Sequence, residues 1–554
     1  MAQSQPSLWA LQCASAQGHR YNASNSLKSP AVGEPSVASN ISAFTLASGT
    51  TVPAVRSPCA YEKKWYYNGI TGSSDWPDLL YRSDYRTAPF VRPTGRFAQV
   101  PVKSVHGVFD TPLNAVWHVV GPEIRKILND HAIGYSSIDT ARFYTHGLSG
   151  EDEKGSLGPV VIWIGIAPGS TSPDTAHDVS LEILALLERN KVPEVVVEWR
   201  DAVIQRLAGT TTLFFHPFKD EDGNLIDKIY ALANCHVLRE NWTADYRWEE
   251  GGPEDYVRVC GLRRFQRGLA DTTKATADAL FEAELAAREL IRHQATDDQS
   301  KVGLRKMERL EATLKRKNED IQDLEDFHIE VTKNWSNLSL QRNIGRVLYA
   351  PAVRVDEAGT EYTADWGVFE VSKAKCGDGF GGNVVFLGSK FTPTQLKELF
   401  SRGPISFEYP DDGKLQVTVC AGELTLSMPN ERDADGRRCL TVGKDGNSTD
   451  LTVGRYSGLQ SFLRTETGVE SMEVAVYNSG YSGVEPFSDK GDSGALVWYM
   501  AGKEAHIVGQ LHTGVNIGGP SSIYVSYCTP GWWLLEQVKK EYKFADFFRT
   551  SWGT

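Results

Sequence analysis

A chain of 554 residues, 41% apolar and 23% charged, has globular composition and room for three or four structural units. Its net charge of −12 leaves no basic excess to neutralise phosphates, which argues against a nucleic-acid-coating or anionic-membrane protein. Fifty Gly and 25 Pro lean towards strands and turns, and exclude a collagen, a coiled-coil rod and wholesale disorder.

The first twenty residues lack a basic region followed by an apolar run, so they do not read as a secretory signal. The longest apolar stretch, 160–167, is too short to cross a bilayer. Eight cysteines, at 13, 59, 235, 260, 376, 420, 439 and 528, form no C-x-x-C pair. Neither a disulfide scaffold nor a zinc site is expected, no cofactor is called for, and the expected setting is cytoplasmic.

Residues 1–60, rich in Ser, Ala, Pro and Asn, read as a disordered tail. Between 61 and 110, Trp65, Tyr66, Tyr67, Trp76, Tyr81 and Tyr85 are spaced by Pro and Gly, as in an irregular segment laid over a folded surface. A small α+β unit follows, closing near 208. Thr111-Pro112 opens a helix that ends near Asn129, turns Val116, Val119, Val120, Ile124 and Ile127 inward, and kinks or breaks at Pro122. Strands are expected at 137–143, 159–167 and 192–199. Between the last two, Ser172-Pro173 starts a helix that ends near Asn190 with Leu181, Leu184 and Leu187 inward. This unit contains no clustered titratable set and reads as structural or recognition.

From 210 the texture changes to hairpins. Two strand-like runs, 210–218 and 225–237, flank Asp222-Gly223, a turn pair that tolerates positive φ. Asp220, Asp222, Asn224 and Asp227 lack the spacing and terminal Glu of a calcium loop, so the turn reading stands. Residues 268–334 carry two helical runs around the polar break Ala295-TDDQS. In the second, Met307, Leu310, Leu314, Ile321, Leu324 and Val331 follow an alternating 3,4 spacing, with Lys317 and His328 at two intervening positions. With 14 basic and 15 acidic residues over 263–334, the pair suits two helices folded on each other or on a protein partner. The local run 301–317, with seven basic and two acidic residues, reads as a solvated face. Short strands and Gly-rich turns then continue to a last helix near 532–540. Gly377-Asp-Gly-Phe-Gly-Gly382 lacks the strand–loop–helix context of a nucleotide loop.

The chemistry concentrates in Phe487-Ser-Asp-Lys-Gly491-Asp492-Ser493-Gly494. A serine held between glycines on a tight turn projects its hydroxyl, but a neutral hydroxyl is a poor nucleophile without a base and a group that orients the base. Two stretches supply those types. The apolar strand that begins at Tyr230 runs into Cys235-His236, and in Glu361-Tyr-Thr-Ala-Asp365-Trp-Gly-Val-Phe-Glu-Val371 the aspartate stands just before another alternating strand. In the order His, Asp, Ser, these stretches resemble the chymotrypsin/trypsin-like serine protease family over about 210–545. Over about 90–545 they resemble more closely uncharacterised fungal proteins that carry a degenerate trypsin-like domain behind an α+β region, with "TxRHVV", "DWA" and "PGDSGS" stretches and a charged helical insertion ahead of the Asp.

The resemblance implies a multidomain chain: the tail, the segment 61–208, and an all-β double β-barrel at 209–545 interrupted by the helical hairpin 268–334. It implies Ser493 as nucleophile, His236 as general base, Asp365 as the group that orients it, and the amides of Gly491 and Ser493 as the oxyanion hole. His512 and Gly514, in Gly-Gln-Leu-His-Thr-Gly, match the strand that lines the substrate cleft, and Phe487 matches the base of the specificity pocket, where an apolar residue disfavours Lys or Arg. His512 is also the runner-up base. His506 reads as structural and Lys490 as a solvated loop charge. Asp492 matches the aspartate that, in digestive members, pairs with a newly cut N-terminus; its partner here is open. Cys235 precedes His236, whereas the family's disulfide partner follows its histidine. The interval from His236 to Asp365 is long because it holds the helical pair, and the stretch from Gly209 into the first hairpin is short. The implied activity is a serine endopeptidase acting on polypeptides. The alternative is a catalytically silent scaffold that binds a protein through its helices and α+β unit.

Overall fold

The computed structural model describes residues 57–552 except 72–74, 96–97, 148–154, 207–208, 220–222, 297–299, 338–340, 357–358, 377–379, 389, 401–408, 411, 480–484, 518–522 and 550–551. The expected tail up to residue 56, Asp220 and Asp222 of the hairpin turn, the middle of the polar break and the start of the Gly-rich loop at 377 lie outside the described residues. Among those described, ten helices accompany a fourteen-stranded, a six-stranded and a two-stranded sheet.

Helix α1 (Pro112–Asp130) starts where Thr111 and Asn114 form a reciprocal capping box, and it continues through Pro122 without ending there. Proline removes one backbone donor, and the buried face of Leu113, Trp117, Val120, Ile124 and Leu128 holds the helix across that gap. Val119, expected inward, is 48% exposed, because the stripe centres on Trp117. Strands β1 (Tyr135–Thr145) and β2 (Ser156–Ile166) pair antiparallel. Helix α2 (Pro173–Arg189), capped by the Ser172 hydroxyl, crosses over to β3 (Val195–Asp201), which lies parallel to β2. On α2 the buried apolar residues are Ala176, Val179, Ile183, Leu186 and Leu187, while Leu181, also expected inward, is 52% exposed. Both helices share one core with Tyr135, Ile162, Ile164, Val197 and Trp199.

After Ala202 the short strand β4 (Val203–Arg206) leaves this unit and pairs far along the chain. Strands β5 (Thr211–Phe215) and β6 (Ile229–Ala233) form the expected hairpin. Helices α3 (Leu262–Ala295) and α4 (Lys301–Trp335) fold back on each other. Helix α3 begins earlier than expected, at the Gly261 cap, with Gly268 tolerated inside it. Ala279, Ala283 and Ala286 of α3 are buried, Leu310, Leu314, Ile321 and Leu324 of α4 are half-buried, and Lys317 Nζ lies 2.8 Å from Glu282. Strands β7 (Asn343–Ala350) and β8 (Gly367–Val371) complete the centre of the six-stranded sheet, with β8 between β6 and β7.

The C-terminal part supplies β9 (Thr441–Gly446), β10 (Asp450–Arg464), β11 (Glu470–Asn478), β12 (Leu496–Ala501), β13 (Glu504–Asn516), β14 (Val525–Pro530) and the final helix α5 (Gly531–Glu541). The far end of β10 pairs with β1 through Phe462↔Ile138 and Leu463↔Ser137. One fourteen-stranded sheet therefore runs from the α+β unit into the C-terminal strands.

Candidate functional site

The turn before β12 is shaped by two glycines. Gly491 has φ +119°, and a Cβ there would stand 1.9 Å from the Ser448 hydroxyl; Gly494 has φ +90°, and a Cβ there would meet the Thr210 carbonyl at 2.0 Å. Between them, Asp492 and Ser493 have no exposed surface. Strand β6 ends at Ala233, and after Asn234 the helical turn Cys235–Leu238 carries His236. Because Gly367 is registered against Ala233, Asp365 falls opposite this turn.

The three side chains expected to act together are brought together. Ser493 Oγ lies 3.1 Å from His236 Nε2 and 3.0 Å from the His512 carbonyl oxygen, so the hydroxyl has an acceptor on either side. His236 Nδ1 bonds Asp365 Oδ2, and the His236 amide donates to Asp365 Oδ1 at 3.1 Å. Asn234 Nδ2 donates to the Asp365 carbonyl at 2.8 Å, which ties the aspartate's backbone to the strand that delivers the histidine. Burial works against the Asp365 charge, but His236 beside it and the bonds it accepts hold the carboxyl below its usual range. A base within reach of a hydroxyl, itself oriented by a carboxylate, can take and return one proton.

Asp492 finds its partner in Lys444 of β9, which sequence reasoning missed. Lys444 Nζ is 3.1 Å from Asp492 Oδ2, with both side chains inaccessible. The amide of Ser448 and the hydroxyl of Thr449 each donate to Asp492 at 2.7 Å, and the Asp489 amide at 3.0 Å. Burial opposes the charge, and Lys444 with these donors keeps the Asp492 carboxyl below its usual range. The turn holding Ser448 and Thr449 is gripped from α3: Arg267 donates to the carbonyls of Ser448 and Asn447 at 3.1 Å each and to Asp450, and Arg264 also bonds Asp450. No local spacing marks these residues, since lysine inside a strand and arginines on a helix are common types. The sole hint was an aspartate without a known partner.

The remaining expected residues sit as follows. His512 is buried, its Nε2 3.1 Å from Glu473 Oε2, and Glu473 accepts a hydrogen bond from Thr363. Its ring thus reaches Glu473, while its carbonyl faces Ser493. Gly514 lies between Ser526 of β14 and Gln205 of β4. Phe487 has no exposed surface; its ring packs in a core with Val476, Ala495 and Val497, and its carbonyl accepts from Thr452 at 2.7 Å. His506 bonds the Tyr499 hydroxyl at 3.0 Å, elsewhere on β13. Lys490 is exposed.

Among the described residues, all seven cysteines are free, no group of His, Cys, Asp or Glu is arranged to hold a metal, and no helix is long and apolar enough to cross a membrane. No protein-family profile matches the chain, and no curated protein matches it. Among solved structures, a similar chain is a glutamic-acid-specific serine protease described as using a novel histidine triad in substrate binding. It is 13% identical, covers 36% of this chain and 72% of its own length, and has a TM-score of 0.18.

Proposed function

We propose that the chain is a serine endopeptidase, with 209–545 as a trypsin-like double-barrel unit carrying the helical hairpin as an insertion. The observation that carries this reading is the run of contacts from Ser493 Oγ through His236 to Asp365. In the reaction, Ser493 Oγ bonds to the carbonyl carbon of a peptide while its proton passes to His236 Nε2. Asp365 stabilises the imidazolium that results. The amides of Gly491 and Ser493 receive the negative charge on the carbonyl oxygen, each such donor contributing about 3 kcal/mol. His236 then gives its proton to the departing amine nitrogen as the C–N bond breaks. Water repeats the sequence on the acyl-serine, releasing the acid and restoring Ser493.

The test is covalent labelling with a fluorophosphonate, which needs an activated serine. Wild type labels and Ser493→Ala does not; equal labelling of the two removes the reading. Labelling also falls on acidification, because only a neutral imidazole accepts the serine proton. A flat profile between pH 8 and about 5 removes His236 as the base.

A second reading, a silent scaffold presenting α3 and α4 to a protein partner, draws support from Ser493 having no exposed surface. Wild type and Ser493→Ala that both fail to label, with unchanged partner binding, is its expected outcome.

A further inference from the structure

A polypeptide reaching Ser493 must be held extended beside it, and the standard way to hold an extended chain is to add it to a free strand edge. The edge beside the nucleophile belongs to β13, since the His512 carbonyl lies 3.0 Å from Ser493 Oγ. One side of Thr513–Val515 is already taken by β14. The other side is taken as well, by a piece of the same chain. Val203, Ile204, Gln205 and Arg206 pair antiparallel with Asn516, Val515, Gly514 and Thr513.

This strand is held at both ends. Upstream, the carbonyl of Asp201 accepts from the Tyr524 hydroxyl at 2.8 Å, and β3 anchors it in the α+β core. Along it, Thr513 Oγ1 donates to the Gln205 carbonyl at 2.6 Å. Downstream, the Thr210 amide donates to the Ser493 carbonyl at 2.5 Å, and the Thr210 hydroxyl to that of Gly491 at 3.1 Å. The chain therefore runs along the peptide edge and arrives at the nucleophile turn. Ser493 is inaccessible in this arrangement.

Resting on the peptidase reading, we infer that Val203–Arg206 is an intramolecular occupant of the peptide-binding edge, and that it holds the chain in a self-inhibited state. The α+β unit then has a task at the site, which is to anchor the occupant. A competing polypeptide enters only when β4 leaves β13.

The experiment compares fluorophosphonate labelling rates of the full chain with and without the ladder. Ile204→Pro/Gln205→Pro removes two adjacent N–H groups, so it deletes a ladder bond whichever way the register alternates. The expected result is labelling at least about tenfold faster than wild type and abolished by adding Ser493→Ala, the size set by loss of roughly 1.4 kcal/mol of closure. A nonzero rate equal to wild type overturns the inference and leaves the peptidase reading intact. No labelling in any form removes that reading, and this inference with it. A thermal melt reports whether the proline variant folds. Where it does not, Thr513→Val decides: it keeps the backbone ladder, loses one anchor, and is expected to label about threefold faster, with an unchanged rate again overturning the inference.

Discussion

At Lys444 and Asp492, two opposite charges 3.1 Å apart have no contact with solvent, so each is tolerable only because of the other. Lys444→Met leaves Asp492 buried without its counter-charge, and breaking such a pair costs about 3–5 kcal/mol. The pH dependence separates this from a generic packing defect. In the wild type the Asp492 carboxyl is held below its usual range, so its contribution is complete above the unfolded value of about 3.9 and is lost as pH falls through the lower folded value. In the variant, burial is opposed only by the Ser448, Thr449 and Asp489 donors, so the folded carboxyl titrates higher than in the wild type. Melting curves are therefore expected to show the variant's deficit open as pH rises through the carboxylate range. A deficit constant with pH counts against the pair as the cause. Asp492 was legible as an aspartate in need of a partner, because it lies within a local motif. Lys444 was not, since only the folded sheet brings it there.

Helix α3 is more than an arm carried between the strands, because its first turns reach the turn that packs against Asp492. Arg264 and Arg267 grip the Asn447–Asp450 turn, and that turn supplies two of the donors around Asp492. Charge-assisted bonds of this kind contribute about 1.5–3 kcal/mol each when partly buried, enough to set the order of a turn. Arg264→Ala/Arg267→Ala is expected to slow fluorophosphonate labelling about tenfold while the helical content by circular dichroism stays unchanged, since about 1.4 kcal/mol of lost loop order suffices. An unchanged labelling rate breaks the link between helix and loop. The helical pair itself was readable, because its 3,4 seam is a local periodicity that packing against a neighbour merely uses. The arginines' acceptors were not readable, as the carbonyls and the Asp450 carboxylate lie some 180 residues away. The face of a helix is subject to the same limit. Val119 and Leu181 are apolar and correctly spaced, yet they face outward. On α1 the orientation is set by Trp117, whose Nε1 donates to the Gln460 carbonyl at 2.9 Å.

For the molecule as a whole, the sequence texture divides the chain at 208, where helix-and-strand alternation gives way to hairpins, and that change of texture is visible because it is compositional. Pairing between distant strands leaves no such mark. Strand β10 is bonded to β9 near its start and to β1 near its end, so the α+β unit shares its sheet with the strands beside Ser493. Strand β4 makes a second junction at β13. Two junctions predict that neither part melts without the other. Phe462 is the side chain on which this can be tried. It is 2% exposed, registered opposite Ile138, and its ring lies 5.9 Å from that of Trp117 and beneath the Arg125 guanidinium. Gly121 leaves room for it, since a Cβ there would approach the ring at 2.6 Å. Phe462→Ala opens a cavity at the junction and is expected to cost about 3–5 kcal/mol. If the two parts are one cooperative unit, a single transition moves down in temperature, and hydrogen exchange accelerates together in β1 and in β9. Loss of protection confined to Tyr135–Thr145, with β9 unaffected, instead makes the α+β unit an independently melting body. In that case β4 alone carries the coupling to Ser493.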